Sequence, residues 1–393
     1  MLLSIALIML LGLMAGTIFK RLRLPYIIGM LAAGIILGPY VLNLLDDSIL
    51  DMSADLRQIA LIIILAKAGL TLDINDLKRV GRPAVLLCFL PATMEIIAYL
   101  LFAPRLMGIS LLEAGIIGAE MGAVSPAIIV PSMSKLIDEG WGTEKGIPQM
   151  IIAGSSADDV YVIVIFTALI SLAQGGAVSA SEFLQVPVAI LLGIVLGVAG
   201  GLVLVFFFKR FHMRDTVKVI ILLCVSFLFV TLEEALEGSV AVSGLLAVMS
   251  MGITIYNRYD VLAKRITGKF SKMWVPAEIL LFVLVGSVVN VKYALSAGIM
   301  MVIMLFIGLV FRLAGTYLCV IGTRLNRKER VFCMISQIPK ATVQAAIGGV
   351  ALAKGLACGN IVLTAAVVSI LITAPIGALG IETTYRKLLS KEK

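Results

Sequence analysis

Gly154-Ser155-Ser156-Ala157-Asp158-Asp159-Val160-Tyr161 lies inside one apolar run that extends from Pro148 to about Gln174. At roughly 1.5 Å rise per residue, Asp158 is about 15 Å from the start of that run, half the ~30 Å hydrocarbon core of a bilayer. A carboxylate at that depth costs about 2.5–3.5 kcal/mol on insertion scales, so two adjacent ones are hard to explain as structure. Their neighbours are small or carry hydroxyls, which leaves room and supplies oxygens. The stretch reads as an ion and proton site at mid-membrane depth.

The composition agrees with a membrane setting. The chain has 393 residues, 61% hydrophobic and 14% charged, with a mean hydropathy of +1.10. A soluble domain of this length would show far more polar surface, so the expected class is an all-α polytopic membrane protein. Apolar runs of spanning length fall at about 1–19, 25–44, 56–73, 83–103, 110–134, 148–174, 183–208, 216–232, 239–256, 275–291, 294–322, 329–353 and 359–380. That predicts about thirteen transmembrane helices.

The first run lacks a basic leader and a small-residue cleavage site, and Lys20, Arg21 and Arg23 follow it directly. It is expected to be a retained helix with its N-terminus outside. Most of the 32 basic residues fall in alternate loops, among them Lys78-Arg79, Lys135, Lys209-Arg210, Lys264-Arg265, Arg327-Lys328 and the C-terminal Arg386-Lys387. The opposite loops hold Arg57, Arg105, Lys292 and Lys354 beside acidic pairs such as Asp46-Asp47. The positive-inside rule gives a multi-pass protein of the cell membrane, N-terminus outside and C-terminus cytoplasmic. The net charge of +8 is therefore a topology signal. No basic patch carries interleaved aromatics, and no nucleic-acid partner is expected.

Further charges lie within spans. Glu95 and Glu120 in the fourth and fifth, Arg312 in the eleventh and Lys340 in the twelfth reach a similar depth. Charges of both signs at one depth mark residues that face a cavity and pair. For Glu95 and Arg312 a purely structural pair weighs equally. Lys67, near the end of its span, reads first as a snorkelling side chain. Two spans look broken: Ala123-Val124-Ser125-Pro126, with Pro131 beyond, and Gln337-Ile338-Pro339-Lys340-Ala341-Thr342-Val343-Gln344. Proline removes an amide donor and pushes the preceding residue out of the helical region. Non-helical backbone at this depth requires a protein-lined or watery cavity. The two triplets of spans holding these breaks sit at an odd offset and so run in opposite senses. That is the pattern of an inverted repeat whose broken helices meet at the midplane.

Ala123-Val124-Ser125-Pro126-Ala127, Ser155-Ser156-Ala157-Asp158-Asp159 and Pro339-Lys340-Ala341-Thr342-Val343-Gln344-Ala345-Ala346 together resemble the sodium/proton antiporters of the cation:proton antiporter superfamily, in the NHA-type branch with a paired aspartate. Gly34-Ile35-Ile36-Leu37-Gly38-Pro39 and Ala68-Gly69-Leu70 extend the resemblance to nearly the whole chain. It implies an antiporter fold with two crossing broken helices, a homodimer, and an elevator-like core. The implied division is 1–82 and 175–291 as scaffold and dimerisation parts, 83–174 and 292–393 as the two core repeats. It implies that Asp159 is the main cation-binding and proton-carrying group, Asp158 its partner, and Glu95, Arg312 and Lys340 a supporting trio. Electrogenic relatives carry a lysine where this chain has Arg312. Arginine stays protonated, so electrogenic and electroneutral exchange both remain open. Glu120 has no counterpart in the resemblance. It is expected to offset the positive ends of half-helices, as Lys340 offsets the negative ends.

The expected function is secondary active exchange of Na⁺ or Li⁺ for protons, with no cofactor. Asp158 and Asp159 hold the cation, and Ser155 or Thr342 with unwound backbone supplies further oxygens. Two adjacent carboxylates in a low-dielectric pocket resist ionising together, so protons and cation compete for the same oxygens. A K⁺/H⁺ antiporter or a cation channel on the same scaffold is the alternative. An intramembrane aspartyl protease would need two carboxylates facing each other from separate helices. Adjacent residues on one helix diverge by about 100°, so that geometry fails. An enzyme is not expected. The five cysteines have no CxxC spacing and read as buried thiols. The single histidine, His212, lies in a basic loop, where a pH-sensing role is weaker than an incidental one.

Overall fold

A computed structural model of the chain describes residues 1–22, 24–71, 81–175, 180–236, 242–289 and 291–391. Arg23, Lys78 and Arg79 of the orientation argument lie outside these residues. The described chain is helical: α1 (Leu2–Arg21), α2 (Tyr26–Leu37), α3 (Asp47–Asp51), α4 (Ser53–Gly69), α5 (Arg82–Leu87), α6 (Leu90–Met107), α7 (Leu111–Met121), α8 (Pro126–Asp138), α9 (Ile147–Gly175), α10 (Ala180–Arg210), α11 (Asp215–Ala235), α12 (Gly244–Arg258), α13 (Asp260–Ser287), α14 (Val291–Val320), α15 (Arg327–Ser336), α16 (Thr342–Ile347), α17 (Val350–Ala353) and α18 (Gly359–Leu388). Each apolar run of the sequence contains helix. Among the described residues, 8 helices are long and apolar enough to cross a membrane, and Tyr26–Leu37, Tyr161–Gln174 and Thr342–Ala353 are shorter apolar segments.

The chain divides into two compact units. One comprises Met1–Ala54, Asp76–Ala173 and Ile279–Lys393. Its helices approach through small residues. Helix α1 buries Ser4, Ile8, Gly12 and Gly16, one residue per turn on a single face. In α2, a Cβ on Gly34 would lie 2.0 Å from the Val283 carbonyl oxygen, and one on Gly38 2.4 Å from that of Ser287. Residues 34 and 38 are one turn apart, so the pair lets α2 and the end of α13 touch backbone to backbone. The Gly-Pro element of the sequence is a packing device.

The other unit comprises Asp55–Asn75 and Gln174–Glu278. Helices α10 and α12 pack closely in it, where a Cβ on Gly197 would meet the Ala247 carbonyl oxygen at 2.3 Å. Lys67 occupies the last turn of α4, where a cation complements the exposed carbonyls of a helix end.

Three local features differ from the sequence reading. The basic stretch before the tenth run is not a loop: α13 runs unbroken from Asp260 to Ser287, about 42 Å, straight through Pro276. The fourth run is interrupted between α5 and α6. Pro91 has no amide to bond the Leu87 carbonyl, and Phe89 leaves helical geometry at φ −144°. Conversely, α8 continues through Pro131, so the break in the fifth run is confined to the residues before Pro126.

Candidate functional site

The first break is short. Helix α7 ends at Met121, residues 122–125 are non-helical, and α8 begins at Pro126. The second lies between α15 and α16, where Pro339 and Lys340 stand outside the helices. The breaks meet directly: the Ser125 amide donates to the Pro339 carbonyl at 2.8 Å, and the Ser125 and Thr342 hydroxyls stand 3.5 Å apart. Main chain that leaves its own helix thus finds partners in the other break, which keeps buried polar backbone satisfied.

The freed carbonyls at the end of α7 gather cations and amides. Lys340 Nζ donates to the Met121 carbonyl, and an Arg312 guanidinium nitrogen donates to that of Gly122. Gln344 Nε2 donates to the Glu120 and Ala123 carbonyls at 3.1 and 3.0 Å. Lys340 offsets a negative half-helix end, as the sequence suggested. Its own amide donates to the Thr373 hydroxyl of α18 at 3.0 Å.

Arg312, on α14, is fully buried and uses its whole donor fork. Beyond Gly122, it donates to Glu95 Oε2 at 3.2 Å, Asp158 Oδ2 at 2.7 Å, and the main-chain and side-chain oxygens of Gln337 at 2.9 and 3.2 Å. Lys340 donates to the same Glu95 oxygen at 2.8 Å. The sequence paired Arg312 with Glu95 alone; its shorter contact is with Asp158. A planar group with several fixed donors can join two carboxylates and a broken helix in one plane, which an ammonium cannot.

The two aspartates have different surroundings. Asp158 accepts from Arg312 and, at 3.1 Å, from the Val124 amide in the first break. Asp159 is 9% exposed, and among the described residues its side chain has neither an ion pair nor a hydrogen bond. One oxygen of Asp158 and one of Asp159 are buried without a partner among the described residues. Ser155, a turn before them on α9, turns its buried hydroxyl back to the Ile152 carbonyl at 3.1 Å. Carboxylates, hydroxyls and main-chain oxygens make an all-oxygen donor set, which suits a hard cation.

Glu120 is the least satisfied of the buried carboxylates among the described residues. Among the described residues, neither of its buried oxygens has a hydrogen-bond partner. One lies against Gly348, where a Cβ would come within 2.7 Å of it. Gly348 stands between the end of α16 and the start of α17, so Glu120 lies where one helix end meets the next beginning. Sequence reasoning missed Gln337 and Thr373 as partners. Gln337 was visible as a polar residue at membrane depth, whereas Thr373 sits in an ordinary apolar run and gave no signal.

The sequence matches the family described as "Sodium/hydrogen exchanger, transmembrane" over residues 5–387. It is 33% identical to mouse sodium/hydrogen exchanger 9B2 over 386 residues, 94% of this chain and 69% of that one. It is 34% identical to the human protein of the same name over 387 residues, 94% of this chain and 70% of that one. In fold it is similar to the sodium proton antiporter MjNhaP1 from Methanocaldococcus jannaschii, with a TM-score of 0.85 at 20% identity, covering 98% of this chain and 97% of that structure. With the family matched over nearly its whole length, the chain belongs to the transmembrane sodium/hydrogen exchangers.

Proposed function

We propose that the chain is a secondary active transporter that exchanges Na⁺ or Li⁺ for protons, and that Asp159 is the group for which the two compete. The observation that carries this is the division of partners in the buried cluster. Arg312 and Lys340 are taken by Glu95 and Asp158, at 2.7–3.2 Å. Asp159 keeps a carboxylate without a counter-charge among the described residues. A charge buried in that way is neutralised by a proton or by a cation, and a group that alternates between the two couples their movements. Asp158 is fixed by Arg312 and Val124, and its remaining oxygen with the Ser125, Ser155 and Thr342 hydroxyls offers further ligands. Arginine does not release its proton, so Arg312 organises the site and carries nothing across.

The same reading includes a homodimer in the cell membrane, N-terminus outside and C-terminus cytoplasmic, with no cofactor. Alternating access follows from an elevator-like movement of a core built from 83–174 and 292–393 against the parts 1–82 and 175–291. The support is the resemblance of the motifs and the inverted order of the two breaks.

The test is exchange by purified protein in proteoliposomes with an imposed proton gradient, followed with an internal pH dye. Na⁺ and Li⁺ should each discharge the gradient, and Asp159→Asn should abolish the response. An Asp159→Asn protein that exchanges as well as wild type would sink the assignment. Response to K⁺ alone would favour the potassium antiporter.

A further inference from the structure

Glu120, in the last turn of α7, is the buried carboxyl that the exchange site leaves unused. It is fully buried, and among the described residues neither of its oxygens has a hydrogen bond or an ion pair. The charge that acts on it is that of Lys340. Since Arg312 and Lys340 are balanced by Glu95 and Asp158, Asp159 and Glu120 are the two carboxyls in excess. Each has to be neutralised. At Glu120 the surroundings exclude a cation. The nearby main-chain oxygens already accept: those of Glu120 and Ala123 from Gln344 Nε2 at 3.1 and 3.0 Å, that of Met121 from Lys340 and that of Gly122 from Arg312. A hard cation needs several oxygens around it and would be repelled by both basic side chains. Space is short as well. A Cβ on Gly348 would lie 2.7 Å from Glu120 Oε1 and 2.5 Å from the Ala366 Cβ. A proton needs one oxygen and no room.

The means of releasing that proton are also present. Lys340 has three N–H bonds. Two of them go to Glu95 Oε2, at 2.8 Å, and to the Met121 carbonyl. Among the described residues the third has no partner. The carbonyl that Lys340 holds belongs to the residue after Glu120, so an ionised Glu120 has a counter-charge at hand. One ammonium thus stands between two carboxyls and can serve either. A partnerless carboxyl at membrane depth costs stability that an apolar side chain would not, which marks it as functional. Resting on the exchange assigned to Asp159, we propose that Glu120 is a second proton carrier of the same cycle, one that binds protons and no cation. When Na⁺ takes Asp159, two protons leave, one from each carboxyl. When the cation departs at the opposite face, both carboxyls are reprotonated there. One cation moves against two protons, and each cycle carries one net positive charge in the direction of the protons.

The test uses the full-length protein in proteoliposomes that contain valinomycin and an internal pH dye, with equal pH and equal Na⁺ on both sides. A K⁺ gradient then sets the interior negative. Wild type should acidify the interior when Na⁺ is present, because two protons enter for each Na⁺ that leaves. Glu120→Gln should lose this response, while an imposed Na⁺ gradient should still change the internal pH, at one proton per cation. Glu120→Leu, apolar and of similar size, gives a second reading if the amide variant fails to fold, and the same outcome is expected. A wild type that converts a Na⁺ gradient into a pH change but ignores the potential overturns the proposal. Potential-driven, Na⁺-dependent acidification kept by either variant overturns it too. So does a variant that unfolds at the wild-type temperature yet couples Na⁺ to pH no longer, because Glu120 would then be more than an additional carrier. A wild type that exchanges no cation for protons would remove the role of Asp159, and the second carrier with it.

Discussion

Two cations and four carboxylates share the buried centre, and their pairing sets what each residue can do. Arg312 and Lys340 hold Glu95 and Asp158, while Asp159 and Glu120 have no ion pair among the described residues. Neutralising the two aspartates should therefore have opposite effects on stability. Asp158→Asn removes the 2.7 Å partner of a buried guanidinium and should cost about 3 kcal/mol. Asp159→Asn relieves an uncompensated charge and should leave the apparent unfolding temperature equal to or above that of wild type. Equal losses in the two variants, by thermal unfolding in detergent at neutral pH, would refute this division. Glu120→Gln extends the test. If Glu120 neither pairs nor caps, an isosteric amide should hold or raise stability by about 1 kcal/mol; a loss of that size would mean that its charge supports the fold.

At this scale the sequence was legible where chemistry is rare. Charges at membrane depth are so costly that Asp158, Asp159, Glu95, Arg312 and Lys340 announced themselves. Who pairs with whom was not legible, because Glu95 and Asp158 stand on different helices and both lie within reach of one guanidinium. Glu120 was seen, but its neighbour Gly348 comes from a helix turn that periodicity does not place.

Among the elements, proline and glycine decided the outcome in ways that spacing alone did not rank. Pro126 and Pro339 mark true breaks, whereas Pro131, Pro276 and Pro375 lie inside continuous helices. The difference is what receives the freed main chain. At the breaks, Arg312, Lys340, Gln344 and the opposing strand of backbone take up the carbonyls and amides. A lone proline loses a single hydrogen bond and bends the helix. Glycine works by proximity. Since a Cβ on Gly34 would meet the Val283 oxygen at 2.0 Å, Gly34→Val must force α2 away from α13, at about 1–3 kcal/mol. Gly268, with nothing within 4 Å, is the matched control in α13, where Gly268→Ala should be neutral or mildly stabilising. Thermal unfolding of the two variants separates close packing from a general intolerance of helix substitutions, and an unaffected Gly34→Val would remove the packing account of the Gly-Pro element.

For the whole molecule, hydropathy located the membrane segments because a bilayer leaves the backbone little choice but helix. It failed where helix and solvent coexist: the first half of α13 is basic and helical, since helix propensity continues after apolarity stops. The orientation rests on the distribution of Lys and Arg alone, and it makes a prediction that hydropathy cannot. Asp51, at the end of α3, and Lys328, in the first turn of α15, are both exposed and lie between apolar runs, in segments assigned to opposite faces. In a background lacking the five native cysteines, Asp51→Cys should react with a membrane-impermeant maleimide on intact cells. Lys328→Cys should react only after permeabilisation. The inverse pattern would turn the orientation over. Labelling of both sites on intact cells would show that the two segments share a face, and would contradict the alternation of basic loops from which the orientation was drawn.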